Sequence, residues 1–385
     1  MSRSDSRGPA LDTSWGSRAI SRRSLLRGGA SLAALGGAGA VLAACGSSSK
    51  TSSASSTAAS STTAAATATT AAGAATVAQL GSVDYQLGWI ANSGYSGSYI
   101  AKTRGYYTRH GVDVNIIPGG PSVAGMALLV ANKRFLAISD PPSVSAAVAE
   151  GGDVKIIGAG YQTNPACIMS LASKPINTPA DLKGKTIGVG AADDPEWHAF
   201  LEINNIALTE LTTVPAGFDT SPLAAGQWDG YLAFLNDEVP QFAAKGINTA
   251  VLKFQDYGMP SVNEVYAVTG ATLTDQASRK KLVAFMAGEI EGWTVELTNP
   301  QLGAQLTVDD FGKNNGLTYQ GELLAAQATN AISVSADTKA HGLFYMSEAA
   351  ITQTLKTLSL TGVKANPDMF DTSILAEAYP LVMAT

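Results

Sequence analysis

Cysteine is nearly absent: the 385 residues hold two, Cys45 and Cys167, which excludes a disulfide framework and a cysteine-based metal site. Histidine is as scarce. His110, His198 and His341 lie far apart with no partner at ligand spacing, so no metal ion is expected. Basic side chains are outnumbered, 25 Lys+Arg against 31 Asp+Glu. An acidic chain argues against nucleic acid as a partner. No nucleophile elbow, phosphate loop or dinucleotide fingerprint is present, and "PGGPSVAG" (118–125) is glycine-rich but lacks the lysine of a phosphate loop. No cofactor is expected, and no fixed-period repeat is found.

Long, strongly apolar runs are missing too. The most apolar stretch, from Ser24 to Ala44, sets Ala, Leu and Val among glycines and carries Arg27. A membrane span wants about twenty strongly apolar residues, and glycine weakens a helix wherever it stands. The stretch suits an export signal better. Arg22-Arg23 in "SRRSLLRGG" are the paired arginines of a twin-arginine signal. Leu42-Ala43-Ala44-Cys45 resembles a bacterial lipobox, in which the cysteine is lipidated and becomes the first residue after cleavage. Two acyl chains suffice for stable anchoring. Residues 1–44 are therefore expected to be an export signal, and Cys45 a lipid anchor on the outer face of the cell membrane. Removing the six Arg and two Asp of residues 1–44 leaves 19 basic against 29 acidic residues, near −10.

Residues 45–80 continue as a tether of Ser, Thr, Ala and Gly with one charge, Lys50, and such a composition cannot bury enough to fold. Beyond it strand and helix patterns alternate. "VDYQLGWI" reads as a strand, "YSGSYIAKTRGYYTRHG" as a helix ending at Gly111, and "PSVAGMALLVANK" as a helix with Ser122 at its N-cap. "INTPADLKGKTIGVG" opens a second series of the same kind. From Thr274 the chain turns helical, with Leu282, Phe285, Met286, Ile290 and Trp293 on one face. The class is α/β, with mostly parallel sheets covered by helices. Two series suggest two lobes across a cleft: 81–172 with 267–385, and 173–266, crossing near Ser170–Ser173 and Tyr266–Gly270.

In open α/β sheets ligands lie beyond the carboxyl ends of the strands. The loops there carry Trp89, Asn92, Tyr95, Ser122, Asp140 and Tyr161 in the first series, and Trp197, Asn236 and Glu238 in the second. No Arg or Lys is among them. Trp89, with Tyr95, Tyr161 or Trp197 opposite, offers stacking faces for a planar ring. Asn92, Asp140, Asn236 and Glu238 offer groups for ring nitrogens and amines. Asp140, just before Pro141, is equally placed to cap a helix, and Trp228 and Trp293 are expected in the core. Cys167, inside the apolar "ACIMSLAS", reads as a buried small hydrophobe.

Longer stretches carry a resemblance. "LGWIANSGYSGSYIAKTRGYYTRHGVDVNIIPGG", "DLKGKTIGV", "GEIEGWTVELTNPQ" and "TKAHGLFYMS" are similar to segments of solute-binding proteins related to the fungal thiamine-pyrimidine synthase. "VPAGFDTSPLAAGQWDGYLAFLNDEVPQFAAKGINTAVLKFQDYGMP" follows that family almost throughout, and the similarity spans roughly residues 83–350. It implies a type II periplasmic-binding-protein fold and the role of substrate-binding component of an ABC importer. The partners implied are a small-molecule ligand and a permease whose ATPase is a separate chain; a monomer is expected.

The resemblance places Trp89 and Asn92 on the family's first-strand Trp and the polar residue after it, and Glu238 on the Glu of its Asn-Glu-Pro stretch. Family ligands are thiamine-pyrimidine precursors, with riboflavin, sulfonates, taurine, nitrate and bicarbonate among close relatives. Tyr95 stands where many members have a His, and the cysteine-rich motif of the synthase is missing, so an enzyme is not expected. The expectation is a binding protein that closes its lobes on a planar heterocycle, a thiamine-pyrimidine precursor before riboflavin, an alkanesulfonate, taurine or nitrate.

Overall fold

The computed structural model describes residues 77–383 apart from 121, 191–193 and 218. The expected export signal, Cys45 and nearly all of the expected tether lie outside the described residues. No helix among the described residues is long and apolar enough to cross a membrane.

Among the described residues, ten strands form two five-stranded sheets. The first contains β1 (Gly81–Gln86), β2 (Val112–Ile117), β3 (Leu136–Ser139), β4 (Val154–Tyr161) and β10 (Asn263–Thr269), in the order β2-β1-β3-β10-β4. The second contains β5 (Ala166–Leu171), β6 (Thr186–Gly190), β7 (Thr212–Ala216), β8 (Gly230–Phe234) and β9 (Thr249–Lys253), in the order β7-β6-β8-β5-β9. The two orders superpose position for position. In each sheet the first three strands are parallel and the fourth runs antiparallel to both neighbours. That fourth strand, β10 or β5, is the one on which the chain enters the sheet from the other lobe. The α/β class and the type II arrangement expected from the sequence are therefore present.

The crossings fall earlier than Ser170–Ser173 and Tyr266–Gly270. The chain leaves the first sheet after Tyr161 and enters the second at Ala166; it leaves after Lys253 and returns at Asn263. Ser170 sits inside β5, paired with β8 and β9, and its hydroxyl accepts from the Ile176 amide at 2.9 Å. "ACIMSL" is apolar throughout, so periodicity alone does not say to which sheet it belongs. The two crossings are tied together by Asn164. Its Nδ2 donates to the Met259 carbonyl (3.1 Å) and to Glu196 Oε1 (2.8 Å), while its Oδ1 accepts from the Ala166 amide (2.9 Å).

The first lobe is built around the helix Gln276–Thr298. Leu282, Phe285, Met286, Ile290 and Trp293 are all buried, as their spacing requires. Each such side chain contributes about 1.5–3 kcal/mol by leaving water. The same helix also buries Glu289, which accepts from Tyr266 Oη (2.7 Å), Ser98 Oγ (3.0 Å), Trp293 Nε1 (3.1 Å) and Tyr107. Burial raises its proton affinity and these donors counter it. The helix expected over 95–111 is broken into Ser96–Thr103 and Tyr106–Arg109 at Gly105, whose φ of +69° glycine adopts without strain.

Candidate functional site

The loop after β1 turns sharply at residues 88–90 and carries Trp89, half-buried against the first-lobe core. Gly119, from the loop after β2, packs on this backbone so closely that a Cβ there would lie 2.9 Å from the Trp89 amide nitrogen. Asn92 closes the next turn, its Oδ1 accepting from the Gly94 amide at 2.9 Å, and so sends Tyr95 into the interior. Tyr161, at the end of β4, is buried beside this turn.

Asp140 caps the helix Pro141–Ala149. Its oxygens accept from the Ser143 amide (2.7 Å) and hydroxyl (2.8 Å), and burial raises its proton affinity. The capping reading is the one its geometry supports.

From the second lobe, Asn236 reaches across. Its Nδ2 donates to Tyr161 Oη (2.9 Å) and to Thr329 Oγ1 (3.1 Å) on the helix Tyr319–Ser333. One turn further, Gln241 Nε2 donates to Glu322 Oε1 at 3.0 Å, while Glu322 Oε2 takes the Ser93 amide at 2.8 Å. These contacts bring Tyr161 and Asn236 together, and with them residues not foreseen: Ser93, Asp237, Gln241, Glu322 and Thr329. Glu238 turns back into its own lobe, where its Oε2 accepts from the Phe234 amide at 2.8 Å. The acidic neighbour that faces the first lobe is Asp237.

Two further expectations are corrected. Trp197 does not line the cleft. It is fully buried in the second-lobe core, donates to Thr213 Oγ1 (3.0 Å) and stacks with Phe200 and Phe254. Its helix, Asp194–Ile203, turns that face inward. Ser122 is exposed in a turn, and the helix it was expected to cap runs Gly125–Val130 from Ala124 with no side-chain cap. Trp293 is buried in the first-lobe core, as expected, while Trp228 is half-buried at the edge of a second-lobe cluster, stacked on Tyr231. Cys167 is fully buried, and its thiol is pushed up by burial.

The electrostatics of the interlobe region are one-sided. Burial raises the proton affinity of Asp140, Glu322, Asp237 (to about 6, with Glu322 beside it) and Glu264 (to about 8). No ion pair among the described residues reaches any of the four. Glu264, on β10, is the site residue that sequence reasoning missed most completely. Its signal was available: it is the sole charge in "NEVYAVT", as Glu322 is in "YQGELLAAQATNAIS". A shallow depression of about 520 Å³ lies elsewhere, between Leu355 and Pro367, and brings together no carboxylate or aromatic ring.

The family described as NMT1/THI5 like matches residues 92–302. A formylaminopyrimidine-binding protein of Halalkalibacterium halodurans is 25% identical over 238 residues, 60% of this chain and 72% of that protein. Among solved structures, the nitrate-binding protein NrtA of Synechocystis aligns with a TM-score of 0.58 at 10% identity, over 79% of this chain and 89% of that one. The alkanesulfonate-binding protein SsuA of Xanthomonas axonopodis pv. citri gives 0.53 at 16%, over 77% and 99%. At these identities the structural matches establish the fold.

Proposed function

The chain belongs to the NMT1/THI5-like family, and on that premise we propose that it is the extracytoplasmic substrate-binding component of an ABC importer, specific for an aminopyrimidine precursor of thiamine. The observation that carries the choice of ligand is the interlobe set of carboxyls, tyrosine hydroxyls and amides, with no paired cation among the described residues. Such a lining favours a neutral or cationic ring rich in N–H donors. It disfavours nitrate or a sulfonate, each of which would face buried carboxyls with no compensating charge. The name of the Halalkalibacterium relative points the same way.

In this reading the ligand stacks on Trp89 and closes the lobes by binding the closed form better than the open one. Asn236 and Gln241 then exchange or share their present partners, Tyr161, Thr329 and Glu322, with the ligand. The closed monomer docks on a permease served by a separate ATPase, and lipidated Cys45 holds it at the outer face of the membrane on the tether of residues 45–80. Export by the twin-arginine route belongs to the same proposal. Binding is favoured over catalysis because the family's frequent His is Tyr95 here, and because the Cys167 thiol is buried inside β5. The fold alone does not choose between the two.

The test is a thermal-shift and calorimetric panel on residues 46–385: thiamine, its aminopyrimidine precursors, riboflavin, taurine, alkanesulfonates and nitrate. A ligand present at a hundred times its Kd stabilises the folded state by about 2.7 kcal/mol. A shift with an aminopyrimidine alone supports the proposal. A shift only with riboflavin, or only with taurine, a sulfonate or nitrate, would replace the ligand while leaving the transport role.

A further inference from the structure

Glu264 stands where the chain re-enters the first sheet, at the second residue of β10. Three costly features meet there. Its φ is +50°, left-handed backbone that costs a non-glycine residue about 1–2 kcal/mol. Its Oε1 is buried with no hydrogen-bond partner, an arrangement native proteins largely avoid. And the carboxyl is desolvated, eased only by a hydrogen bond from Tyr95 and opposed by the charge of Asp140.

The surroundings are shaped for this residue. Gly160 stands opposite on β4, where a Cβ would lie 3.0 Å from the Glu264 carbonyl oxygen and 3.4 Å from its Cβ. The Asn263 side chain accepts the Glu264 amide at 2.6 Å and so holds the bend. Tyr161, whose hydroxyl takes Asn236 from the other lobe, feels the Glu264 charge. Strain and an unmet hydrogen bond at a single residue, beside the Tyr161 that meets the second lobe, mark a group held for a ligand.

We infer that Glu264 is the specificity-determining residue of the site, its carboxyl forming a two-point hydrogen bond with the adjacent ring nitrogen and amino group of an aminopyrimidine. The inference rests on the functional reading above. Held neutral by burial, a carboxylic acid offers one O–H donor beside one C=O acceptor, the complement of an acceptor nitrogen beside an amino donor. An anionic ligand finds no such complement. One proton is shared across the pair, so the complex needs it wherever it resides. Affinity is therefore full below the folded-state value of about 8 and falls as pH rises through it. The titratable groups facing Glu264 are Tyr85 on β1, Tyr95 and Tyr99 from the turn and helix that follow it, Asp140 after β3 and Tyr161 at the end of β4. The tyrosines are held protonated by burial, and burial raises the proton affinity of Asp140 as well.

The experiment is calorimetric titration of an aminopyrimidine precursor of thiamine into wild type, Glu264→Gln and Glu264→Leu at pH 7 and pH 9, with melting temperatures recorded for each. Glu264→Gln keeps a donor beside an acceptor and is expected to bind within about tenfold of wild type at both pH values. Wild type is expected to weaken about tenfold between pH 7 and 9, and Glu264→Leu to lose at least thirtyfold while melting no lower. Binding by Glu264→Leu that matches wild type overturns the assignment and leaves the transport reading intact. So does a pH dependence that persists in Glu264→Gln, which also decides the matter should the Leu variant fail to fold. A wild type that ignores every aminopyrimidine takes down the functional reading and this inference together.

Discussion

The two lobes share one strand order and differ in what they bury. The second lobe is held by apolar contact: Trp197, Phe200 and Phe254 stack between β6, β8 and their helices. The first lobe buries polar chemistry as well. Glu289 gathers Ser98, Tyr107, Tyr266 and Trp293, and Tyr95, Tyr161, Asp140, Glu264, Glu322 and Thr329 face the other lobe or lie just behind that face. The second lobe answers with Asn236, Asp237 and Gln241. Buried polar side chains are thus concentrated on one side of the contact between the lobes, on a base of long helices. The leaner partner supplies a few amides and one carboxyl from a single loop and helix. Identical topology does not divide the chemistry equally.

The comparison breaks most visibly at the two tryptophans. Trp197→Ala is expected to cost about 3–5 kcal/mol of stability by opening a large cavity, seen in chemical denaturation, with ligand affinity of the folded fraction unchanged. An affinity loss without destabilisation would return Trp197 to the cleft. Trp89→Ala should do the reverse, weakening the ligand tenfold or more, about 1.4 kcal/mol, at nearly unchanged melting temperature. An unchanged binding curve would remove stacking on Trp89.

Asn236→Ala sharpens the comparison at the contact between the lobes. Two hydrogen bonds are lost, each worth about 1 kcal/mol, and small-angle scattering of the ligand-free protein should show a larger radius of gyration. An unaltered curve would mean these bonds do not hold the lobes together. The smallest effect is on the pH profile. Burial raises Asp237 from 3.8 to about 6, so its contribution to stability is whole below pH 4 and lost as pH rises through 6. Asp237→Asn should flatten that segment of the profile of stability against pH. A slope that survives belongs to Glu322 or another buried carboxyl.

Much of the frame was legible in the sequence because periodicity reports burial directly. The helix face from Leu282 to Trp293 and the strand–helix alternation needed no partner to be read. The rule that ligands gather beyond strand ends led to Asn92, Tyr95, Tyr161 and Asn236, which converge near or across the lobe contact. It failed where a local pattern has two solutions. Trp197 lies close behind a strand end, yet its helix turns it inward onto Phe254, some fifty positions later in the chain. "ACIMSL" suits either sheet. Glu238 and Asp237 are adjacent carboxylates, and which of them faces the other lobe depends on where the helix Glu238–Ala244 begins. Glu264 and Glu322 were readable only as lone charges in apolar runs, a pattern whose meaning emerges once a second lobe stands opposite.

The tie made by Asn164 has a kinematic consequence. Two strands passing independently between two bodies would permit bending, twisting and sliding. Joined at the Met259 carbonyl and to Glu196, they behave as a single axle and suppress the shear between them. In the closing motion proposed above, the second lobe would then be left with essentially one rotation. A rotor with one degree of freedom has one end position, so a permease that read the shut form, as proposed, would read a single outline, and an occupied cleft would be reported at a distance as an angle.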